Sequence, residues 1–125
     1  MELAGIFIVL YKISMNIQIF GTKKCKETQK AQRWFKERRI NFQFINLKEK
    51  EMSLGEFNSV LKAIGDVNAM IDKNSKYYSS IAYLTEEDVC EKLFSNQANL
   101  LLTPIVRNGR QATCGMQQDV WSKWE

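Results

Sequence analysis

Residues 16–47, NIQIFGTKKCKETQKAQRWFKERRINFQFINL, decide the fold of this chain. At their start, Ile17 and Ile19 lie in a short apolar alternation that predicts a buried strand. No Gly or Pro occurs over residues 25–39, and the apolar positions there recur at helical spacing, which predicts an amphipathic helix. Residues 41–47 return to a period of two, with aromatic and branched side chains that suit a strand. The stretch therefore predicts a β-α-β unit.

The middle of the chain has the signals of helix starts and stops. Ser53 followed by Glu56 has the spacing of a capping box, and the apolar stripe behind it stops at Gly65. Thr85 repeats the start signal ahead of a second apolar stripe. These patterns predict a helical insert over about residues 50–98.

The last part of the chain predicts two antiparallel strands and a helix. Pro104 precedes one strand, Asn108-Gly109 suits a type I′ hairpin turn, and a second strand runs to Cys114. Apolar residues at helical spacing place a final helix against the sheet: Met116, Val120, Trp121 and Trp124. The order β-α-β, helical insert, β-β-α predicts an α/β protein with a thioredoxin-like fold and a mixed four-stranded sheet.

Composition excludes several classes of function. The chain has 125 residues, 45% of them apolar, which fits one domain with a single core. Its net charge of +4 is mild and its basic residues are scattered, so we expect no direct binding of nucleic acid. Histidine is absent, which excludes a His general base, a Cys-His pair and any His-containing metal site.

The three cysteines are an odd number, lie far apart and form no C-x-x-C, which argues against a disulfide scaffold or a zinc cluster. We expect reduced thiols, no metal, no bound cofactor and a cytoplasmic location. The apolar run over residues 3–11 is shorter than the roughly 20 residues that a membrane span needs. The sequence therefore predicts a soluble monomer without a membrane anchor.

Cys25 is the candidate nucleophile. The predicted crossover places it at the rim of the sheet, at the N-terminus of the first helix, where free N–H groups and the helix dipole favour a thiolate. Lys23, Lys24 and Lys26 flank it and act in the same direction. The alternative is a small residue that merely packs at the start of the helix.

Several stretches carry a resemblance to a known family. IFGTKKC (19–25), KAQRWF (30–35) and TPIV (103–106), in this order, resemble the arsenate reductase-like family that includes ArsC, Spx and YffB. The resemblance implies that residues 15–125 form a single thioredoxin-fold domain, with the helical insert at about residues 50–98. It also implies that Cys25 is the nucleophile and that Pro104 follows a cis peptide bond.

The chain departs from the family pattern where arsenate would be held. Gly21 stands where the reductases have a histidine, and three expected arginines are replaced by Gln29, Asp72 and Thr103. Arginine gives an oxyanion a permanently charged bidentate contact that none of these residues replaces. The departures weaken the case for arsenate as the substrate.

We therefore expect an arsenate reductase-like, thiol-dependent oxidoreductase that uses Cys25 alone, with glutathione as co-substrate or a glutaredoxin as partner. The candidate substrate-binding residues are Lys24, Thr103, Pro104 and Arg107. The topology also returns the fourth strand to the rim of Cys25, so Cys114 is a candidate resolving cysteine. The alternative for Cys114 is a small buried residue that fills the end of the strand.

Two other functions stay open at this point. An Spx-like regulator would bind the C-terminal domain of the α subunit of RNA polymerase. Thr28 replaces the second cysteine of the Spx redox switch, whereas Gly55 resembles the glycine of the binding helix or marks close backbone packing. A fold relic would have neither role.

The resemblance also implies that residues 1–14 are a dispensable extension, although their apolar run could add an edge strand.

Overall fold

The computed structural model describes residues 16–124, so the extension expected at residues 1–14 lies outside the described part of the chain. In chain order the elements are β1 (Ile17–Gly21), α1 (Lys26–Glu37), β2 (Phe42–Asn46), α2 (Leu54–Ile64), α3 (Glu86–Ser95), α4 (Gln97–Leu100), β3 (Ile105–Asn108), β4 (Gln111–Cys114) and α5 (Gln118–Trp121). Short 3-10 helices at Val67–Met70 and Tyr78–Ser80 separate α2 from α3. Among these residues no helix is long and apolar enough to cross a membrane.

The four strands form one mixed sheet in the order β2-β1-β3-β4. Strand β1 pairs parallel to β2 and antiparallel to β3, and β3 pairs antiparallel to β4. Phe20 of β1 lies opposite Ile105 of β3, so the end of β1 and the start of β3 meet at one rim. The α/β, thioredoxin-like fold predicted from the sequence is confirmed.

Each face of the sheet buries its own apolar cluster. On one face, helices α1 and α5 cover a cluster of Ile17, Ile19, Ala31, Trp34, Phe35, Val106, Trp121 and Trp124. On the other face the helical insert covers Phe20, Ile105 and Cys114 together with its own apolar residues. Successive residues of a strand point to opposite faces, which is why neighbouring residues of β1 serve different clusters.

The helix signals of the insert are present as predicted. The Ser53 hydroxyl accepts from the backbone N–H of Glu56 at 3.2 Å, and the Glu56 carboxylate accepts from the Ser53 N–H at 2.9 Å. Gly65 ends α2 with a φ of 81°, a left-handed conformation that favours glycine. Thr85 caps α3 through its hydroxyl. Local side-chain chemistry therefore sets these helix ends.

Gln97 fastens the insert to the chain that follows β2. Its side chain is 1% exposed, its amide nitrogen donates to the Met52 carbonyl at 3.0 Å, and its oxygen accepts from the Met52 N–H at 2.7 Å. A buried amide that makes both bonds is fully used, and removing it would leave backbone groups unpaired.

The hairpin turn differs from its prediction. Asn108 pairs with Gln111, so the turn residues are Gly109 and Arg110 rather than Asn108 and Gly109. Gly109 has a φ of 60°, whereas Arg110 does not have a positive φ. A left-handed first residue alone is the pattern of a type II′ turn with glycine first, not of type I′.

Some apolar residues of the helices and of β2 lie nearer the surface than the core. Val120 is 40% exposed and Leu54 is 59% exposed, because each lies on the solvent side of its helix. Phe42 and Phe44 are half-buried, since among the described strands β2 lies at the edge of the sheet and pairs only with β1. Helical or strand periodicity identifies a face, but the position in the sheet decides how deeply it is buried.

Candidate functional site

Cys25 lies at the rim of the sheet, directly before helix α1, in an extended conformation with φ −73° and ψ 114°. Its N–H donates to the Thr22 carbonyl at 3.2 Å, and its carbonyl accepts from the Gln29 N–H at 3.1 Å. The second bond makes Cys25 the N-cap of a 12-residue helix. Cys25 is therefore half-buried at the N-terminal end of the helix, which is the positive end of its dipole.

Thr103 contacts the thiol through two of its groups. Its hydroxyl lies 3.1 Å from Cys25 Sγ, and its carbonyl oxygen lies 4.0 Å from the same sulfur. The Thr103–Pro104 peptide is cis, which confirms the prediction. Pairing of β1 with β3 brings these residues together across 78 positions of sequence.

The Gln29 side chain bonds to the backbone of the loop before Cys25. Its side-chain amide donates to the Lys23 carbonyl at 2.7 Å and so fastens the loop that leads into Cys25. An amide used in this way supports the position of the thiol rather than binding a substrate. The sequence identified Gln29 only as a missing arginine, and nothing local signals this bond.

The lysines around Cys25 are surface residues. Lys23 lies 3.8 Å from a Glu49 carboxylate oxygen, and both side chains are about 70% exposed. Lys24 and Lys26 are also exposed. In residues 16–124 no hydrogen bond or ion pair joins Cys25 to a cationic side chain. The predicted contact of Lys24 with substrate stays a prediction.

Arg107 is not brought to the thiol. It lies at the other end of β3, where it pairs in register with Gln18, whose side-chain oxygen accepts from it at 3.3 Å. Its guanidinium also lies 3.4 Å from the Ser59 hydroxyl and 3.9 Å from Glu56. The expectation that Arg107 touches substrate beside Cys25 is corrected: a strand advances about 3.3 Å per residue, so Arg107 lies roughly 10 Å from Pro104.

The other two cysteines have environments that favour the neutral thiol. Cys114 is 8% exposed, packs in the cluster under the insert, and burial raises its pKa to about 12. The pKa of Cys90 on α3 is also raised, first by burial and then by the charge of Glu86. The described residues hold no cluster of three or more His, Cys, Asp or Glu that could bind a metal ion.

The insert carries three tyrosines near its middle, Tyr77, Tyr78 and Tyr83. Tyr83 is 98% exposed and Tyr77 is 38% exposed, whereas Tyr78 packs against the cluster under the insert. None of the three has a hydrogen bond to the thiol in the described structure. Tyr77 and Tyr83 therefore lie on the surface of the insert, and Tyr78 packs within it.

Comparison with known proteins places the fold. No family model and no curated protein matches the chain. An ArsC family related protein from Bacteroides fragilis matches with a TM-score of 0.76 and 21% identity, over 87% of this chain and 97% of that one. An arsenate reductase from Vibrio cholerae matches with a TM-score of 0.70 and 21% identity, over 80% and 89% of the two chains.

A third solved structure is an arsenate reductase (ArsC) related protein from Brucella melitensis, with a TM-score of 0.68 and 15% identity, over 89% of this chain and 95% of that chain. The protein thus has the thioredoxin-like fold of arsenate reductase-like proteins, with the helical insert included. At these identities the likeness establishes the fold, and the chemistry has to be argued from the residues around Cys25.

Proposed function

We propose that the protein is an arsenate reductase-like thiol oxidoreductase that uses Cys25 as its nucleophile and glutathione as its reductant. The observation that carries the proposal is the position of Cys25 Sγ, at a helix N-terminus and 3.1 Å from the Thr103 hydroxyl at the rim of an ArsC-type fold. Amide groups at a helix N-terminus favour the thiolate, which is the reactive form of cysteine.

The residues around the thiol favour a disulfide substrate over arsenate. A tetrahedral oxyanion needs fixed cationic partners, but Arg107 is engaged by Glu56 and Gln18, and the Gln29 amide is bonded to the backbone. A disulfide needs only access of its sulfur to the thiolate. Exposed Lys24 and Lys26 would attract the carboxylates of glutathione without forming a fixed clamp.

The reaction proceeds in two thiol-disulfide exchanges. The Cys25 thiolate attacks the glutathione sulfur of a mixed disulfide, a Cys25–glutathione disulfide forms, and the other sulfur leaves as a thiolate that takes a proton from water. A second glutathione thiolate then attacks the glutathione sulfur of that disulfide, which releases the Cys25 thiolate and oxidised glutathione. Two glutathione molecules, one from the substrate and one added, leave as one disulfide, so the electrons balance.

The test is turnover of a small panel of glutathione mixed disulfides beside arsenate, with reduced glutathione and a coupled assay for oxidised glutathione. We expect turnover of at least one disulfide, little or none of arsenate, and loss of activity in Cys25→Ser. A Cys90→Ser variant is the matched control and should keep full activity. Absence of turnover on every disulfide, or equal activity in Cys25→Ser, would rule out the proposal.

A second candidate function is binding of the C-terminal domain of the α subunit of RNA polymerase. It is favoured by Gly55: a Cβ built there meets no atom of the described residues within 4 Å outside its own helix backbone and chain neighbours, so their packing does not explain the glycine. Gly55 lies in an open groove with Ser59, Lys62 and Arg110. Binding of the purified domain that is lost in Gly55→Gln but kept in Cys25→Ser would support this function, and no binding would exclude it.

A further inference from the structure

The contact between Thr103 and Cys25 is short for a bond to a large sulfur atom. The hydroxyl oxygen lies 3.1 Å from Sγ, whereas the Thr103 carbonyl lies 4.0 Å from it. A carbonyl oxygen can only accept a hydrogen bond, so it can pair only with the protonated thiol. The hydroxyl can donate a hydrogen bond, so the closer of the two groups is the one that can pair with a thiolate.

Neither Gly21 nor Thr28 donates a side-chain hydrogen bond to the Cys25 thiol. Gly21 has no side chain, and the Thr28 hydroxyl is buried without a hydrogen-bond partner among the described residues. In residues 16–124 the hydroxyl of Thr103 is the one side-chain donor bonded to Cys25 Sγ. Thr103 also stands next to the ring of Pro104 and has a β-branched side chain, which limits its rotation.

We propose that Thr103 is a positioning residue that donates a hydrogen bond to the Cys25 thiolate and holds its sulfur in one orientation for attack. A donor to the charged form of a group favours that form, and the half-buried setting limits competition from water. The role of Thr103 in turnover rests on the proposed function, whereas its effect on the thiolate does not. Thr103 thus acts on the nucleophile rather than on the substrate.

The experiment compares Thr103→Val with Thr103→Ser. Valine keeps the shape and removes the donor, whereas serine keeps the donor. The readouts are the rate of alkylation by iodoacetamide against pH and the ultraviolet absorbance of the thiolate, each corrected with Cys25→Ser. We expect Thr103→Val to react about three- to tenfold more slowly at neutral pH, with its profile displaced to higher pH, and Thr103→Ser to restore most of the rate.

A buried threonine elsewhere controls for loss of stability. The Thr113 hydroxyl accepts from Trp121 Nε1 at 2.8 Å on the face of the sheet covered by α1 and α5, so Thr113→Val should lower stability and leave the alkylation profile unchanged. If Thr103→Val does not fold, Thr103→Ala replaces it. A profile for Thr103→Val equal to that of the unaltered protein, or a serine variant that behaves like valine, would overturn the inference.

The alkylation experiment separates this inference from the proposed function. If no disulfide is turned over but Thr103→Val still slows alkylation, the proposed function is wrong and the inference about Thr103 stands. If Thr103→Val turns over disulfides as well as the unaltered protein and its alkylation is unchanged, the proposed function stands and the inference about Thr103 is wrong.

Discussion

Gly21 and Thr28 pack against each other where strand β1 passes beneath helix α1. A Cβ built on Gly21 would lie 2.6 Å from Thr28 Cγ2 and closer still to its hydroxyl, distances that real Cβ atoms do not adopt. Thr28 is completely buried in this contact. The position four residues before Cys25 therefore has no room for a side chain, and a histidine there would have to displace the side chain of Thr28.

We expect Gly21→Ala to lower the free energy of unfolding by about 1–3 kcal/mol, because the new methyl group overlaps Thr28. Urea unfolding followed by tryptophan fluorescence measures it. Gly55→Ala is the control. In helix α2 the new methyl group would meet no atom of residues 16–124 within 4 Å outside its own helix backbone and chain neighbours, so the change should raise stability by up to about 1 kcal/mol. Equal effects of the two variants would contradict the packing seen here.

Thr28→Val should raise the free energy of unfolding by about 1 kcal/mol, since the Thr28 hydroxyl is buried without a partner in the described structure and valine has the same shape. Thr113→Val, at a bonded hydroxyl, should lower stability by a similar amount. Thermal unfolding of the two variants compares them. A loss of stability in Thr28→Val would mean that its hydroxyl is satisfied, for instance by water.

Burial of Cys114 makes stability depend on alkaline pH. Its pKa is raised from 9.0 to about 12 on folding, so the folded protein holds the proton more tightly and this contribution is complete below pH 9.0. It is lost between pH 9.0 and about 12, at ~1.4 kcal/mol per pH unit. Urea unfolding against pH should show a shallower alkaline loss in Cys114→Ala, and parallel curves would contradict the burial.

The resolving role of Cys114 stays a prediction. A pKa of about 12 keeps this thiol protonated at neutral pH, so its attack on an oxidised Cys25 should be slow beside that of added glutathione. Mild peroxide followed by peptide mapping, with and without glutathione, measures both products. A Cys25–Cys114 linkage that forms even with glutathione present would show that the end of β4 opens readily.

Arg107→Met should leave the alkylation rate of Cys25 unchanged, because the guanidinium is bonded to Gln18 and Ser59 at the other end of β3. Stability should change by about 1 kcal/mol or less, since the Glu56 ion pair is long and partly exposed. Alkylation kinetics and urea unfolding of the same variant test both statements. A severalfold slower alkylation would return Arg107 to the candidate site.

The order of elements could be predicted because each signal is local. The alternation through Ile17 and Ile19, the capping box at Ser53 and the stop at Gly65 depend on residues within one strand or one turn, and the structure has all of them. The same locality placed Cys25 at the N-terminus of the first helix. The turn after β3 was wrongly placed because strand register, not the Asn-Gly pair, fixes which residues lie in the turn.

What the sequence by itself determined is thus the fold, the place of Cys25 at a helix N-terminus and the absence of histidine chemistry, since composition and periodicity are properties of the chain alone. Only the tertiary structure decided which groups meet the thiol. Pairing of β1 with β3 brings Thr103 to Cys25 and carries Arg107 away, and packing of α1 on β1 fills the space beside Gly21 with Thr28. Contacts across 78 residues depend on register and packing depth, which no short-range pattern encodes.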